Sequence, residues 1–280
     1  MLAEVIDAHA HVWVEDSPQY PHHPISVPRR SPSPSASVER LLAEMDGNGV
    51  TYAVLVQASL YGYDNSYVAD CVRRYPGRFA AVGMVDVRSE TPVERLAYWV
   101  TERGLQGVRL APLLKSQADV LRHPGAREIW EGAARLGVPV CLLLTPRDIA
   151  DVEKLIRACP ETRVVIDHLG RPDLCNQDPS TVLQPLLNLA QYPCVYVKVS
   201  ALPVISEAPY PHTDTFALIC RVYERFGSRR MVWATDFPHI LSQCGYANAL
   251  AILRRQMPFL THDDKEWILG GTARVLWAFK

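Results

Sequence analysis

The chain has 280 residues, 48% of them apolar, and a formal net charge of −1. That length supports a large buried core, and the balanced charge excludes functions that need a long-range basic field, nucleic-acid binding foremost. No run approaches the ~18 apolar residues of a membrane span, and MLAEVIDAHA lacks a signal-peptide pattern, so a cytoplasmic protein without membrane partners is expected.

Strand-length apolar runs alternate with helical patterns along the chain. EVIDAH (4–9) is followed by a loop with prolines at 18, 21, 24, 28, 32 and 34, then by a helix capped by Ser37 and ending near Gly47 and Gly49. YAVLVQAS (52–59) leads into a helix over about 65–75, and FAAVGMVD (79–86) into TPVERLAYWVTERG. VRLAPLL begins at Val108 and precedes the helical HPGAREIWEGAARLG. PVCLLLT (139–145) precedes a helix over about 149–158. RVVIDH (163–168), CVYVKVS (194–200) and RMVWATD (230–236) complete the strand set, with helices from Tyr246 onward. The seven cysteines are scattered and never form C-x-x-C, which points to reduced thiols rather than disulfides or a cysteine zinc site.

Eight β-then-α units, most with strands apolar on both faces, predict an α/β fold: a single-domain (β/α)8 TIM barrel over residues 1–280. A doubly wound sheet is disfavoured because no G-x-G-x-x-G follows the first strand. The Pro-rich segment 13–36 would leave the C-terminal end of strand one as an active-site loop.

In such a barrel the C-terminal strand ends converge on one mouth. Those ends carry His9 and His11, Gln57 and Ser59, Arg109, Thr145 and Arg147, Asp167 with His168 and Arg171, Lys198 with Ser200, and Asp236 with His239. Side chains two apart on a strand share a face, so an inward His9–His11 pair makes a two-point chelate for a borderline ion such as zinc. Each residue alone has an ordinary structural explanation, as a helix cap, a core histidine or a salt bridge. The joint pattern points to a shared active site that takes a small-molecule substrate.

The segments DAHAHVW, GVTYAVLVQASLYGYDNSYV, LQGVRLAP, VVIDHLGRPD, RMVWATDFPH and GGTARVLW resemble the amidohydrolase superfamily. The likeness is to its amidohydrolase 2 branch, which holds dicarboxylate and sugar lactonases together with aromatic-acid decarboxylases. The resemblance implies metal ligands at His9, His11, Asp236 and His168, with Asp236 as general base and His168 as a ligand or a group polarising the substrate carbonyl. It also implies one divalent metal ion, zinc or manganese, although some lactonases of the branch act without metal. Strand four offers Arg109 and strand five no lysine or histidine at its end, which argues against a binuclear site and against decarboxylation.

The expected activity is hydrolysis of a small carboxylated or sugar-derived lactone. Arg109, Arg171, Lys198, Gln57 and His239 are the candidate substrate contacts, because guanidinium and ammonium groups match carboxylates and hydroxyls. A metal-dependent decarboxylase and a non-catalytic ligand-binding barrel stand as alternatives, and a homo-oligomer is left open.

Overall fold

The computed structural model describes residues 4–25, 36–174 and 178–279. The middle of the expected Pro-rich loop, 26–35, lies outside the described residues. Eight parallel strands are ordered sequentially around a (β/α)8 barrel. They are β1 (Ile6–Ala10), β2 (Tyr52–Val56), β3 (Phe79–Met84), β4 (Val108–Leu110), β5 (Val140–Leu142), β6 (Val164–Ile166), β7 (Val195–Val199) and β8 (Met231–Trp233). Between them run α1 (Val38–Asn48), α2 (Ser66–Arg74), α3 (Pro92–Ala97), α4 (Pro124–Leu136) and α5 (Ile149–Ala158). The Ser37 hydroxyl caps α1 by accepting from the Arg40 amide at 3.3 Å, as the sequence predicts.

The return segments after β6 and β7 escape the sequence pattern. The structure has α6 (Pro179–Val182) and α7 (Gln184–Asn188) after β6, then α8 (Leu202–Ile205) and α9 (Phe216–Phe226) after β7. Prolines at 203, 209 and 211 break the latter stretch and hide its helical period. Even so, α9 buries Leu218, Ile219, Val222 and Phe226 on one face. The chain ends in α10 (Tyr246–Arg255), α11 (His262–Glu266) and α12 (Thr272–Leu276).

Along β4 to β8, alternate residues face opposite sides. Val108, Leu110, Val140, Leu142, Val164, Ile166, Val195 and Val197 pack in the layer between barrel and helices. Cys141, Val165, Val232 and Ala234 join Ile6, Ala8, Val54, Val56, Ala80 and Val82 in the barrel lumen. Ala273, Leu276 and Trp277 from the chain end belong to that same cluster, so α12 and the residues after it plug the N-terminal end of the barrel.

β1 departs from this alternation. Its register against β2 advances from Asp7↔Ala53 to Ala10↔Leu55, three residues against two. This β-bulge at Ala8 and His9 puts Asp7 outside while His9 and His11 face the lumen. Outside, Asp7 accepts from the Thr235 amide (2.9 Å), the Tyr246 hydroxyl (3.0 Å) and the His9 amide (3.2 Å). It thereby fastens β1 to the end of β8 and to α10. The ring closes where the His11 amide donates to Phe237 O at 2.7 Å and the Asp236 amide to His9 O at 3.0 Å. Asp236, the end of β8 in sequence, is thus hydrogen-bonded to the backbone of the histidine pair.

The helical turn just before α12 leaves no room at Gly270, where a β-carbon would lie 2.1 Å from the Glu4 carbonyl oxygen. Gly270→Ala must therefore push that turn off the chain entering β1. It is expected to lower stability by about 1–3 kcal/mol, read from the urea unfolding midpoint at unchanged m-value.

Candidate active site

The floor of the mouth is a buried charge cluster. Asp167, one residue past β6, accepts on Oδ2 from Arg109 Nε at 3.0 Å, and Arg109 Nη2 lies within ion-pair distance of the same oxygen at 3.0 Å. Its Oδ1 lies 3.0 Å from Lys198 Nζ. Asp167 and Lys198 are 0% exposed and Arg109 is 5% exposed. Burial alone would raise Asp167, yet Lys198, His9 and Arg109 hold its carboxyl well below the usual range. Below, the Trp277 ring of the plug lies 5.6 Å from the Lys198 ammonium. Two cations against one carboxylate leave the floor with an excess positive charge.

The imidazoles stand on this floor. His9 Nδ1 is 3.0 Å from Lys198 Nζ, and its Nε2 is 3.2 Å from His11 Nε2. His11 Nδ1 bonds the Val56 carbonyl oxygen at 2.8 Å, and His168 Nδ1 meets Ser200 Oγ at 2.8 Å. Asp236 Oδ1 faces all three rings, 3.7 Å from His9 Nε2, 3.6 Å from His11 Nε2 and 3.9 Å from His168 Nε2. Burial lowers His9 and His11 well below the ordinary imidazole value and His168 to about 3. All three rings are neutral at pH 7. Burial pushes Asp236 the other way, to about 7, against the pull of Arg109 and Arg171.

The backbone under these groups is strained. His168, Leu169 and Arg171 adopt φ of 52°, 55° and 47°, with Gly170 among them at 70°. Asp236 has φ 64° and Ala201, following Ser200, has φ 52°. Such left-handed conformations are costly for residues with a β-carbon and cluster where side chains must be aimed. Here a tight left-handed turn after β6 presents His168 to the mouth and sends Arg171 beside it.

His9, His11, His168, Asp236 and Arg109 come together as the sequence predicts. Arg171 joins them, close enough to Asp236 and Arg109 to feel both charges. His239 sits at the rim, its ring centroid 5.9 Å from that of His11 and 6.2 Å from that of Trp13. Lys198 lies beneath His9, without exposed surface, rather than in the open mouth. The Gln57 amide nitrogen is spent on the Asp64 carbonyl oxygen at 2.6 Å, bracing the loop after β2. Sequence reasoning places Asp167 and Ser200 at the strand ends but gives them no role, although both touch the imidazoles directly. The signal was present: a carboxylate and a hydroxyl closing otherwise apolar strands.

Three imidazole nitrogens and a carboxylate oxygen make a donor set suited to one zinc or manganese ion. His9, His168 and Asp236 form one such group, and His11, Asp236 and His239 another. Asp167 Oδ1, buried with no aligned hydrogen bond, lies 3.4 Å from His9 Nδ1. It can take the Nδ1 proton that a ligating His9 must keep, so the residues fit a divalent cation.

The sequence pattern of the amidohydrolase family matches residues 6–279. The chain is 28% identical to the L-fucono-1,5-lactonase of Burkholderia ambifaria over 279 residues, 96% of this chain and 93% of that protein. It is 29% identical to the 2-pyrone-4,6-dicarboxylate hydrolase of Comamonas testosteroni over 247 residues, 85% of this chain and 77% of that protein. In structure it superposes on a zinc-bound amidohydrolase of Burkholderia multivorans with TM-score 0.83, covering 99% of this chain and 100% of that one at 21% identity. That last likeness concerns the fold.

The raised Asp236 has a consequence for stability. A carboxyl with its folded value above its unfolded one favours folding fully below pH ~4, and this advantage is lost as pH rises through about 7. In chelator-treated protein, Asp236→Asn is therefore expected to raise the melting temperature at pH 8, by a stabilisation on the order of a few kcal/mol. At pH 5 the gain should be much smaller; equal shifts at both pH values would contradict the burial of an ionising carboxylate.

Proposed function

The chain belongs to the amidohydrolase family, and from that membership we propose that it hydrolyses the ring ester of a small carboxylated or sugar-derived lactone. The observation that carries the proposal is Asp236 Oδ1 facing three neutral imidazole Nε2 atoms at 3.6–3.9 Å. The lactone-hydrolase names of the two relatives support the same class of bond.

Asp236 is the general base. A water in the mouth gives its proton to Asp236 while its oxygen bonds to the lactone carbonyl carbon. Imidazole N–H groups directed at the carbonyl oxygen stabilise the charge that develops there. The ring C–O bond then breaks, and the leaving oxygen recovers the proton from Asp236. One water has added across one ester bond, and an open-chain hydroxy acid leaves. His9, His11, His168 and Asp236 would hold a divalent cation, zinc by preference, which when bound polarises a carbonyl and acidifies water.

At the rim, Arg171 and His239 contact the substrate's polar groups. Arg109 contributes positive potential from the floor while its Nε and Nη2 stay on Asp167. Gln57 braces the loop beside the mouth through its bond to Asp64.

Two measurements test this reading. On a panel containing a sugar 1,5-lactone and a carboxylated lactone, followed by proton release, Asp236→Asn should lower kcat by about 10²–10⁴; an unchanged kcat would refute the base assignment. Arg171→Met should raise KM for the carboxylated lactone by about tenfold or more and leave that for a neutral sugar lactone nearly unchanged. An equal change for both would remove Arg171 from carboxylate recognition.

A further inference from the structure

A neutral imidazole carries one N–H and one lone pair. For His11 a single bond decides which nitrogen has which. Its Nδ1 lies 2.8 Å from the Val56 carbonyl oxygen, which can only accept, so the proton is on Nδ1 and Nε2 holds the lone pair. His9 Nε2 is 3.2 Å from that lone pair. A hydrogen bond there needs a proton that His11 does not have, so His9 must carry its own proton on Nε2. His9 Nδ1 is then an acceptor, and the Lys198 ammonium, a donor only, meets it at 3.0 Å. Bonds on opposite sides of the His9 ring demand the same tautomer.

That tautomer is the one a metal ligand cannot use. Coordination through Nε2 needs the lone pair on Nε2 and the proton on Nδ1, where it would point at an ammonium. The alternative acceptor is Asp167 Oδ1, 3.4 Å from His9 Nδ1. This oxygen is within ion-pair distance of Lys198 Nζ yet engaged in no aligned hydrogen bond. Two acceptor–donor arrangements of the same four side chains are therefore within a small motion of each other.

We infer that Lys198 is a positioning residue that holds His9 as the Nε2–H tautomer, with that proton resting on the His11 Nε2 lone pair at the edge of the mouth. A divalent cation gains His9 as a ligand only when the His9 Nδ1 proton turns to Asp167 Oδ1. The inference rests on reading this mouth as the reaction centre. It extends that reading, because the Nε2–H it secures becomes a donor to a carbonyl oxygen that takes the place of His11 Nε2 as its acceptor. It also implies that cation binding is opposed twice, once by loss of the Lys198–His9 bond and once by the excess positive charge of the floor.

The test does not use turnover, so its failure is distinct from failure of the lactone reading. Long-range ¹H–¹⁵N correlation spectra of the metal-free protein, with His9 assigned by its absence in His9→Gln, should show His9 protonated on Nε2. Zinc titrated in competition with a chromophoric chelator should bind Lys198→Met about tenfold or more tighter than wild type, the scale on which partners of metal-bound histidines act. In metal-free Lys198→Met the His9 proton should move toward Nδ1. His9 protonated on Nδ1 in the wild type, or zinc affinity equal or weaker in Lys198→Met, would overturn the inference. If Lys198→Met does not fold, the wild-type spectrum alone decides.

Discussion

The structure depends on one buried ion cluster. Asp167 sits between Arg109 and Lys198 at 3.0 Å from each, in a lumen otherwise lined by apolar side chains, most of them valine and alanine. Desolvating three charges is expensive, and their mutual attraction offsets the cost only while the geometry holds. The surrounding barrel enforces that geometry. β4, the residue after β6, and β7 each contribute one charged side chain from an inward position, and the C-terminal plug closes the lumen beneath them with the Trp277 ring. The candidate site stands on this base: His9 rests directly on Lys198 and Asp167, and the other imidazoles are arranged around His9.

Much of this was legible in the sequence. Eight apolar runs with turn residues between them fix the barrel, and the polar residues that end those runs mark the mouth. His9, His11, His168 and Asp236 converge because strand ends in a barrel must. Less legible was which face each residue takes. Asp7, His9 and His11 are spaced as if they shared a face, and only the extra residue in β1 separates Asp7 from the pair. A bulge has no period to reveal it. Lys198 reads from sequence as a substrate contact, since a lysine at a strand end in a mouth is normally wet. Its burial follows from a partner in another strand, which linear spacing does not encode. The helix α9 was hidden for a simpler reason, the prolines that precede it.

Stability and function pull against each other at the same residues. Left-handed backbone at His168, Arg171 and Asp236, together with a carboxyl whose burial resists ionisation, are costs that the apolar core must offset. The fastening of Asp7 to Thr235 and Tyr246 is part of that compensation, because it anchors both sides of the seam beside the left-handed Asp236.

That seam has a bearing on biogenesis. The histidine pair comes from the first strand and Asp236 follows the last, joined by backbone bonds only when Ala10 meets Phe237. Folding that stops short of this closure therefore leaves the imidazoles of β1 without the carboxylate that faces them in the finished barrel. Assembly of the candidate site and closure of the barrel are in this way one event, and a barrel left open at that seam is a barrel without the site.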